Sequence, residues 1–361
     1  MLFQPKIRAS SRNSRAVAFS YPFVKTLVID SPGKFSYGEK PRPEPKSGEV
    51  LLRVKRLGFC GSDLNTFRGG NPLVTYPRVP GHEIAAIIEE ITAGVPAGFT
   101  IGQAVTVMPY TACGRCPACR RGRVNACQHN QTLGVQQEGA FTDYIVAPWQ
   151  KLVAAKLSLR ELALVEPLAV GFHAVARGRV SSTDTVLVFG CGMVGLGAIS
   201  ATALDRKATV IAVDIEDAKL TVARKAGAAH TINSRTESLH ERVRALTGGD
   251  GPDVAIEAVG TPATFVAAID EVAFTGRVVY IGYAKAPVAY ETKAFVMKEL
   301  DILGSRNSTP EDFRAVVTML EAGRYPVDET ITTTVPFAES GAALQRWSEN
   351  PGAVTKIHVE L

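Results

Sequence analysis

The stretch TVLVFGCGMVGLGAIS, residues 185–200, constrains the fold of this chain more than any other. Residues 185–189 form a continuous apolar run, which is typical of a parallel strand buried on both faces. Gly190, Gly192 and Gly195 follow in the spacing G-x-G-x-x-G and begin a segment of helical character. A strand, a glycine turn and a helix in this order predict a doubly wound α/β domain.

The rest of the chain divides into segments of two kinds. Strand-like runs broken by glycine and proline fill residues 25–168 and predict a β-rich domain, with an irregular lobe at residues 110–130. Strands and helices alternate through residues 169–305, which predicts a Rossmann-type parallel sheet. Residues 306–361 offer one helix and two strand-like runs, and we expect them to return to the first domain. The expected fold class is therefore α/β, with a doubly wound parallel sheet beside a β-rich domain.

The glycine triplet predicts a dinucleotide site, because Asp214 ends the next strand nineteen residues after Gly195. Gly190 suits the tight turn, Gly192 lets the backbone approach a pyrophosphate, and Gly195 lets the helix pack closely. Asp214 would accept hydrogen bonds from both ribose hydroxyls and repel a 2′-phosphate, which favours NAD over NADP. Lys219 could lie near the same ribose. A glycine turn followed by a surface aspartate is the alternative.

Four of the six cysteines fall within the stretch CGRCPACRRGRVNAC. Their spacing lets one loop surround a tetrahedral ion, and the ligands of this expected structural zinc are Cys113, Cys116, Cys119 and Cys127. Two disulfides could use the same residues, although a chain of 361 residues buries a large enough core to be stable without disulfide bonds. An iron–sulfur cluster would favour a proline after the fourth cysteine, where Gln128 stands. A closed four-thiolate site has no open position, so the reaction must occur elsewhere.

Cys60, His82 and Glu166 are the candidate reactive centre. They occur in the stretches GFCGSDLN, PRVPGHEIA and VEPLAV. One thiolate, one imidazole and one carboxylate make a three-ligand set whose fourth position is open to water or substrate, as in catalytic zinc sites. Each residue alone would more often belong to the core, so the interpretation depends on their combination.

The motifs GHE, the four-cysteine stretch, EPLAVGFHA and GCGMVG follow one another in this order, and residues 25–361 resemble the zinc-dependent medium-chain dehydrogenases. The CGSD and EP motifs are similar to those of the sorbitol, threonine and sugar-acid branch. The resemblance implies a GroES-like catalytic domain beside the Rossmann domain, one catalytic and one structural zinc ion, and NAD as the hydride acceptor. It also implies a homo-oligomer, either a tetramer or a dimer.

The resemblance assigns roles to individual residues. Those expected around the catalytic zinc are Cys60, His82, Glu166 and Glu83, the last either behind the ligands or in place of Glu166. Ser62 would hydrogen-bond the substrate hydroxyl. Further cofactor contacts are expected from Met193, Val194, Val259, Ile281 and Arg306. The family often has a proton-relaying histidine five residues after the ligand cysteine, whereas this chain has Asn65, which cannot exchange a proton at neutral pH.

The expected reaction is the reversible oxidation of a secondary alcohol with hydride transfer to NAD. The candidate pocket residues are Phe67, Arg68, Arg306 and Asn307. An arginine suits a carboxylate, so a sugar acid is the first choice of substrate, a polyol the second and threonine the third. Arg306 could equally contact the cofactor. A non-catalytic nucleotide-binding protein is the alternative from another class.

Charge and hydropathy exclude other partners. The net charge of +5 is small, and the arginines beside the thiols lack the interleaved aromatic residues of a nucleic-acid site. No apolar run reaches the length of a membrane span. We therefore expect a small-molecule substrate, no nucleic acid, no membrane and a cytoplasmic location. Residues 1–24 hold four basic and no acidic residues and are expected to be a disordered extension, although an organellar presequence has the same composition.

Overall fold

Two sheets organise residues 22–361, the part of the chain that the structure, a computed structural model, describes. The strands are β1 (Phe23–Ser31), β2 (Lys34–Pro41), β3 (Glu49–Phe59), β4 (Glu83–Ile91), β5 (Ala104–Val107), β6 (Tyr110–Thr111), β7 (Gln131–Thr132), β8 (Tyr144–Pro148), β9 (Leu152–Ala154), β10 (Thr185–Phe189), β11 (Thr209–Asp214), β12 (His230–Asn233), β13 (Val254–Glu257), β14 (Arg277–Tyr280), β15 (Asp301–Gly304), β16 (Ile331–Pro336) and β17 (Lys356–Glu360). Most of the expected extension 1–24 lies outside the described residues, and β1 begins within its last part.

Twelve α-helices connect these strands in the described part of the chain. They are α1 (Gly61–Phe67), α2 (Pro117–Arg120), α3 (Leu159–Leu162), α4 (Val165–Arg177), α5 (Met193–Ser200), α6 (Asp217–Lys225), α7 (Leu239–Leu246), α8 (Pro262–Glu271), α9 (Lys293–Met297), α10 (Pro310–Glu321), α11 (Val327–Thr330) and α12 (Ser340–Glu349). None of the helices within residues 22–361 is both long and apolar enough to cross a membrane.

The six-stranded sheet is parallel throughout and has the order β12-β11-β10-β13-β14-β15. Its apolar residues are buried in two clusters, one on each face, as the continuous apolar run of β10 predicts. In such a sheet the ligand crevice lies beyond the carboxyl ends of the strands, where the chain order reverses beside the first strand. Here that point is the end of β10, where the glycine turn begins.

The seven-stranded sheet has the order β16-β17-β3-β4-β5-β9, with β8 also paired to β3. Its strands β16 and β17 come from the end of the chain and close the sheet against β3. Leu57, Phe59 and Ile84 face the core on one side. The opposite face is covered near α3 and carries two charged side chains, Glu83 and Lys356, side by side.

Helix α4 joins the two halves of the molecule. It begins at Val165, so the boundary expected after residue 168 falls inside the helix. Glu166 lies in its first turn, and the helix packs along α5, against which a side chain at Gly171 would collide with the backbone of Ala198. One rigid helix therefore connects Glu166 to the helix that follows the glycine turn.

Candidate active site

Asp63 brings the segments of Cys60 and His82 together. Its Oδ2 accepts a hydrogen bond from the Cys60 N–H at 2.9 Å, and its Oδ1 accepts one from the Gly81 N–H at 3.2 Å. Asp63 is 1% exposed, and burial raises the pKa of its carboxyl group. Gly81 has φ of +99° and packs against the Phe141 ring, so a side chain there would be strained. The sequence analysis gave Asp63 no role, although its capping distance from Cys60 is a signal for one.

A thiol, an imidazole and two carboxylates converge at this point. The ligand atoms of Cys60, His82 and Glu83 lie within 4.8 Å of one another. The Glu166 carboxylate is outside that group but close enough for its charge to raise the pKa of His82. Burial alone would lower the pKa of His82, yet the surrounding negative charges, Cys60 foremost, hold it well above its usual value. Nδ1 of His82 is buried and has no hydrogen-bond partner among residues 22–361, so a bound cation fits this set.

Lys356 neutralises Glu83. Its Nζ lies 2.6 and 2.5 Å from the two carboxylate oxygens and also donates to the Phe59 carbonyl at 2.9 Å. The side chains are 2% and 0% exposed. The Glu83 carboxylate fills the space beside Gly58, where any Cβ would collide with it. Glu83 already has its counter-charge here, and one bound divalent cation would balance Cys60 together with a second carboxylate.

Among residues 22–361 no cationic side chain forms an ion pair with Glu166 within 4 Å, although the more distant charges of His82 and Lys356 act on its carboxylate. Burial raises the pKa of its carboxyl group, and the Tyr110 hydroxyl donates a hydrogen bond to its Oε1. Burial likewise raises the pKa of Tyr110 well above its usual value, so this hydroxyl stays a donor. Charge balance thus favours Glu166 as the third ligand, whereas proximity favours Glu83. The choice between them stays a prediction.

Ser62 borders the centre, as expected. It lies in α1, and its Oγ is 3.5 Å from Nε2 of His82. Asn65 follows one turn later, where its backbone carbonyl accepts a hydrogen bond from the Gly70 N–H at 2.7 Å. The side chain of Asn71 closes the same loop by donating to the Thr66 hydroxyl at 3.1 Å.

The four-cysteine lobe forms a second centre. All four sulfur atoms lie within 4.8 Å of one another, and every cysteine in the described chain is a free thiol. Backbone N–H groups of Cys119 and Gln128 lower the pKa of Cys116 to about 6, while burial raises that of Cys119 to about 12. Four thiols this close cannot all ionise without a cation between them, so the donor set fits a divalent metal ion. The sulfur atoms of Cys116 and Cys119 are 3.5 Å apart, longer than the roughly 2.05 Å of a disulfide bond.

The glycine turn has the shape that the sequence predicts. Gly190 has φ of +91°, and a side chain at Gly195 would collide with its carbonyl oxygen. Nothing lies within 4 Å of the position a Gly192 side chain would take. The turn is therefore open on the side of the α5 N-terminus, at Met193 and Val194, where a pyrophosphate would be bound.

The Asp214 carboxylate already accepts several hydrogen bonds from the protein, which leaves fewer acceptor positions for a ribose than the sequence predicts. The carboxylate accepts hydrogen bonds from the N–H groups of Cys191 at 2.7 Å, Ile215 at 2.8 Å and Glu216 at 3.0 Å. A carboxylate offers about four acceptor positions, so about one remains for a ribose hydroxyl rather than two. Residues 215–219 contain no arginine, yet Arg235 reaches this place and donates to Glu216 at 2.9 Å. It comes from the loop after β12 and was missed because it is distant in sequence.

Glu257 shapes the other wall of the cofactor crevice. Its buried Oε1 accepts hydrogen bonds from the N–H groups of Val259 at 2.9 Å and Gly260 at 2.7 Å. The Glu257 carbonyl accepts one from Ile281 at 2.9 Å. Val259 in turn packs against Gly190. The structure thus places Val259 and Ile281 beside the glycine turn.

Two candidate pocket residues of the first domain point elsewhere. Phe67 is 4% exposed and belongs to the core. The Arg68 guanidinium donates to the hydroxyl of Ser348 at 3.0 Å and to its carbonyl oxygen, beyond the end of α1. Their sequence position next to α1 predicted a pocket role, but the helix turns them away from it.

The two candidates that follow β15, Arg306 and Asn307, contact the four-cysteine lobe. Arg306 donates to the Cys127 carbonyl at 3.2 Å, and Asn307 donates to the Asn125 carbonyl at 2.9 Å. The contacts of Arg306 therefore add no support for a role in binding the cofactor or a carboxylate. They connect the end of the parallel sheet to the lobe.

Two family models and several known proteins match this chain. The family model described as the alcohol dehydrogenase GroES-like domain matches residues 46–157, and the one described as zinc-binding dehydrogenase matches residues 194–322. The sorbitol dehydrogenase of Bacillus subtilis is 35% identical over 346 residues, 93% of this chain and 97% of that protein. The L-galactonate-5-dehydrogenase of Escherichia coli K12 is 32% identical over 324 residues, 90% of this chain and 95% of that protein. The crystal structure of the alcohol dehydrogenase rspB from Escherichia coli CFT073, complexed with NADH, has a TM-score of 0.87 at 29% identity and covers 94% of this chain and 100% of that one.

The chain belongs to the zinc-binding alcohol dehydrogenases, with a GroES-like domain and a Rossmann domain. More narrowly, it is a zinc-dependent medium-chain dehydrogenase of the sugar and polyol branch, and its cofactors are zinc and NAD(H). The family, the fold class and the cofactors expected from the sequence are confirmed.

Proposed function

We propose that this enzyme reversibly oxidises a secondary alcohol of a sugar acid and transfers the hydride to NAD. The observation that carries the proposal is the convergence of Cys60, His82 and Glu83, with the charge of Glu166 acting on His82 from the start of α4. Helix α4 packs on the helix that follows the open glycine turn. Zinc held at this centre would act as a Lewis acid toward the substrate hydroxyl, and NAD would accept the hydride. Ser62, whose Oγ lies 3.5 Å from Nε2 of His82, would accept a hydrogen bond from that hydroxyl.

The other buried groups hold this centre in place. Asp63 fixes the backbones of Cys60 and Gly81, and Tyr110 fixes the Glu166 carboxylate. Lys356 pairs with the neighbouring Glu83, so this carboxylate adds no uncompensated charge to the centre. The proton leaves by water from Ser62, because Asn65 offers only its carbonyl and amide groups.

The enzyme is proposed to hold about two zinc ions per chain, one at this centre and one in the four-cysteine lobe. Metal analysis before and after mild chelation tests this, because the partly open centre would lose its ion first. A protein with the lobe ion alone, folded and inactive, would favour the non-catalytic nucleotide-binding alternative.

The substrate class follows from the relatives, which are named for L-galactonate, sorbitol and erythritol or L-threitol. The test is NADH formation by the zinc-loaded enzyme across aldonates, the corresponding neutral polyols and threonine. We expect the largest kcat/KM for an aldonate. Turnover of threonine alone would favour the amino-alcohol alternative, and no turnover of any of the three classes would contradict the proposal.

Replacing Asp214 by serine is expected to weaken NAD binding about tenfold and to improve use of NADP, because a ribose acceptor is lost and a negative charge is removed. The double variant Asp214→Ser/Glu216→Gln should improve NADP further, since it frees the Arg235 guanidinium for a 2′-phosphate. The measurement is kcat/KM for both cofactors, with Glu216→Gln alone as the control. A wild type that already prefers NADP would contradict the assignment.

We also propose a homo-oligomer in the cytoplasm. Strand β15 is one edge of the parallel sheet, and the apolar residues near it, Val296, Met297 and Ile302, are 81%, 68% and 41% exposed. An unprotected edge with apolar neighbours supports pairing with a second copy, which light scattering measures as a dimer or tetramer. Free thiols on all described cysteines fit a reducing compartment.

A further inference from the structure

We propose that Lys285 recognises an anionic group at the end of the substrate and so selects sugar acids or sugar phosphates over neutral polyols. The inference rests on the proposed function, because it concerns the specificity of the same site. Neither the motifs of the sequence nor the residues expected from the family resemblance pointed to this lysine.

Lys285 reaches from the cofactor domain to the catalytic domain. It follows β14, whose carboxyl end borders the ligand crevice. A Cβ placed on Gly70 would lie 3.1 Å from the Lys285 Nζ and 3.6 Å from its Cε. Gly70 belongs to the loop after α1, so the ammonium group lies across the mouth of the crevice from its own domain.

The loop that Lys285 approaches is fixed to the helix of Ser62. The Gly70 N–H donates to the Asn65 carbonyl at 2.7 Å, and the Asn71 side chain donates to the Thr66 hydroxyl at 3.1 Å. The Thr66 hydroxyl in turn donates to the Ser62 carbonyl at 2.9 Å. A group bound at Lys285 is therefore positioned relative to Ser62 by a short, hydrogen-bonded segment.

Lys285 carries an unused charge. Within residues 22–361 no carboxylate lies within 4 Å of its Nζ, and the side chain is exposed. The other cations considered for this site are committed: Arg68 to Ser348, Arg306 to the Cys127 carbonyl and Lys356 to Glu83. This leaves Lys285 as the cation that can meet a carboxylate or phosphate from the substrate.

The glycine at position 70 allows Lys285 to lie close against this loop, whereas the space beside Gly69 is filled by Pro32. Lys285 itself fills the space above Gly70, where a Cβ would crowd its ammonium group. A substrate with a charged end can approach the ammonium from the solvent side of the loop. A neutral hydroxyl at the same position gains less, because hydrogen bonds between two charged groups are roughly twice as strong as neutral ones.

The test compares Lys285→Met and Lys285→Arg with the wild type on an aldonate, a polyol phosphate and the neutral polyol of the same chain length. Lys293→Met is the matched control, because it removes an exposed lysine of the same segment whose charge is paired with Glu291 at 2.6 Å. We expect Lys285→Met to lower kcat/KM about 10- to 100-fold for the anionic substrate, through KM, with little change for the neutral polyol. Lys285→Arg should retain most of the activity, and Lys293→Met all of it.

Titration calorimetry of the enzyme–NADH complex with the aldonate gives a second readout. The affinity should fall by a similar factor in Lys285→Met, and raising the salt concentration should weaken binding to the wild type more than to the variant. The aldonate and phosphate arms show which anion the site accepts. An equal loss on charged and neutral substrates, or no loss on either, overturns the inference.

The two proposals fail in different ways. A wild type that oxidises none of the substrates contradicts the proposed function itself. A wild type that oxidises polyols and aldonates equally well, unchanged by Lys285→Met, leaves the dehydrogenase activity intact and contradicts only the role of Lys285.

Discussion

Replacing Glu166 by alanine is expected to remove most of the catalytic zinc and to lower turnover by about a thousandfold or more. Glu166 is the buried carboxylate at the centre that forms no ion pair within 4 Å among residues 22–361, and a divalent ion would supply a positive partner. Its loss also leaves the Tyr110 hydroxyl without its acceptor. Glu83 has its positive partner already, so its replacement should keep the metal and lower turnover only about 10- to 100-fold.

The Glu83 variant has to be chosen with Lys356 in mind. Glu83→Ala would leave a buried ammonium group unpaired, which destabilises a protein by about 3–5 kcal/mol and would confound the comparison. Glu83→Gln keeps an acceptor for Lys356, and the double variant Glu83→Gln/Lys356→Met removes both charges. Zinc content, melting temperature and turnover of the folded variants decide the matter. If Glu83→Gln is the variant that loses zinc, the ligand assignment must be exchanged.

The parallel sheet was predictable because its signals are local. Apolar runs such as residues 185–189 appear wherever a strand is buried on both faces, and helices α6 and α7 have amphipathic spacing. Strand β15 was missed because it is the exposed edge, and Ile302 at 41% exposure gives no buried pattern. Helix α12 was also missed, although Ala343, Leu344 and Trp347 have helical spacing.

The backbone conformation of Glu166 differs from the one that the following proline favours. A residue before proline usually avoids the helical conformation, so Pro167 by itself favours an extended Glu166. The structure places both residues in the first turn of α4, where proline removes no intrahelical hydrogen bond. Glu166 therefore projects from a helix rather than from a loop.

The partners of the site residues could not be predicted because they depend on strand pairing. Lys356 is 273 residues from Glu83 in sequence and meets it because β17 and β4 both pair with β3. Arg235 and Tyr110 likewise reach their sites from distant segments. Sequence motifs point to residues with unusual chemistry. The role of a lysine or a tyrosine can be assigned only when the strand pairing that brings it to the site is known.

Replacing Cys127 by serine is expected to lower the melting temperature by more than about 5 °C while leaving the catalytic centre able to turn over. A closed metal site contributes its binding free energy to folding, and the lobe has few buried apolar residues to replace it. Cys127 is buried and accepts hydrogen bonds at sulfur from the N–H groups of Cys113 and His129, both at 3.3 Å. A serine would keep these acceptors in part but bind zinc poorly.

The four-cysteine lobe contacts α4, the helix that carries Glu166. Loss of the lobe metal can therefore also affect the catalytic centre. Asn125 donates to His173 of α4 at 2.9 Å, and His173 lies 2.9 Å from Asp312 of α10. Loss of the lobe metal should therefore loosen α4 at its middle, while Glu166 in the first turn stays anchored by Tyr110. We expect kcat/KM per folded chain to change by only a few-fold.

The matched control for this prediction is Cys191→Ala, which removes a buried thiol that belongs to neither metal centre. Zinc content should fall from about two to about one ion per chain in Cys127→Ser and stay unchanged in Cys191→Ala. Calorimetry, metal analysis and turnover at a temperature well below unfolding measure the three quantities separately. An unchanged melting temperature together with a collapsed turnover in Cys127→Ser would place the reaction in the lobe, which contradicts the assignment of Cys60, His82 and Glu166 as the catalytic centre.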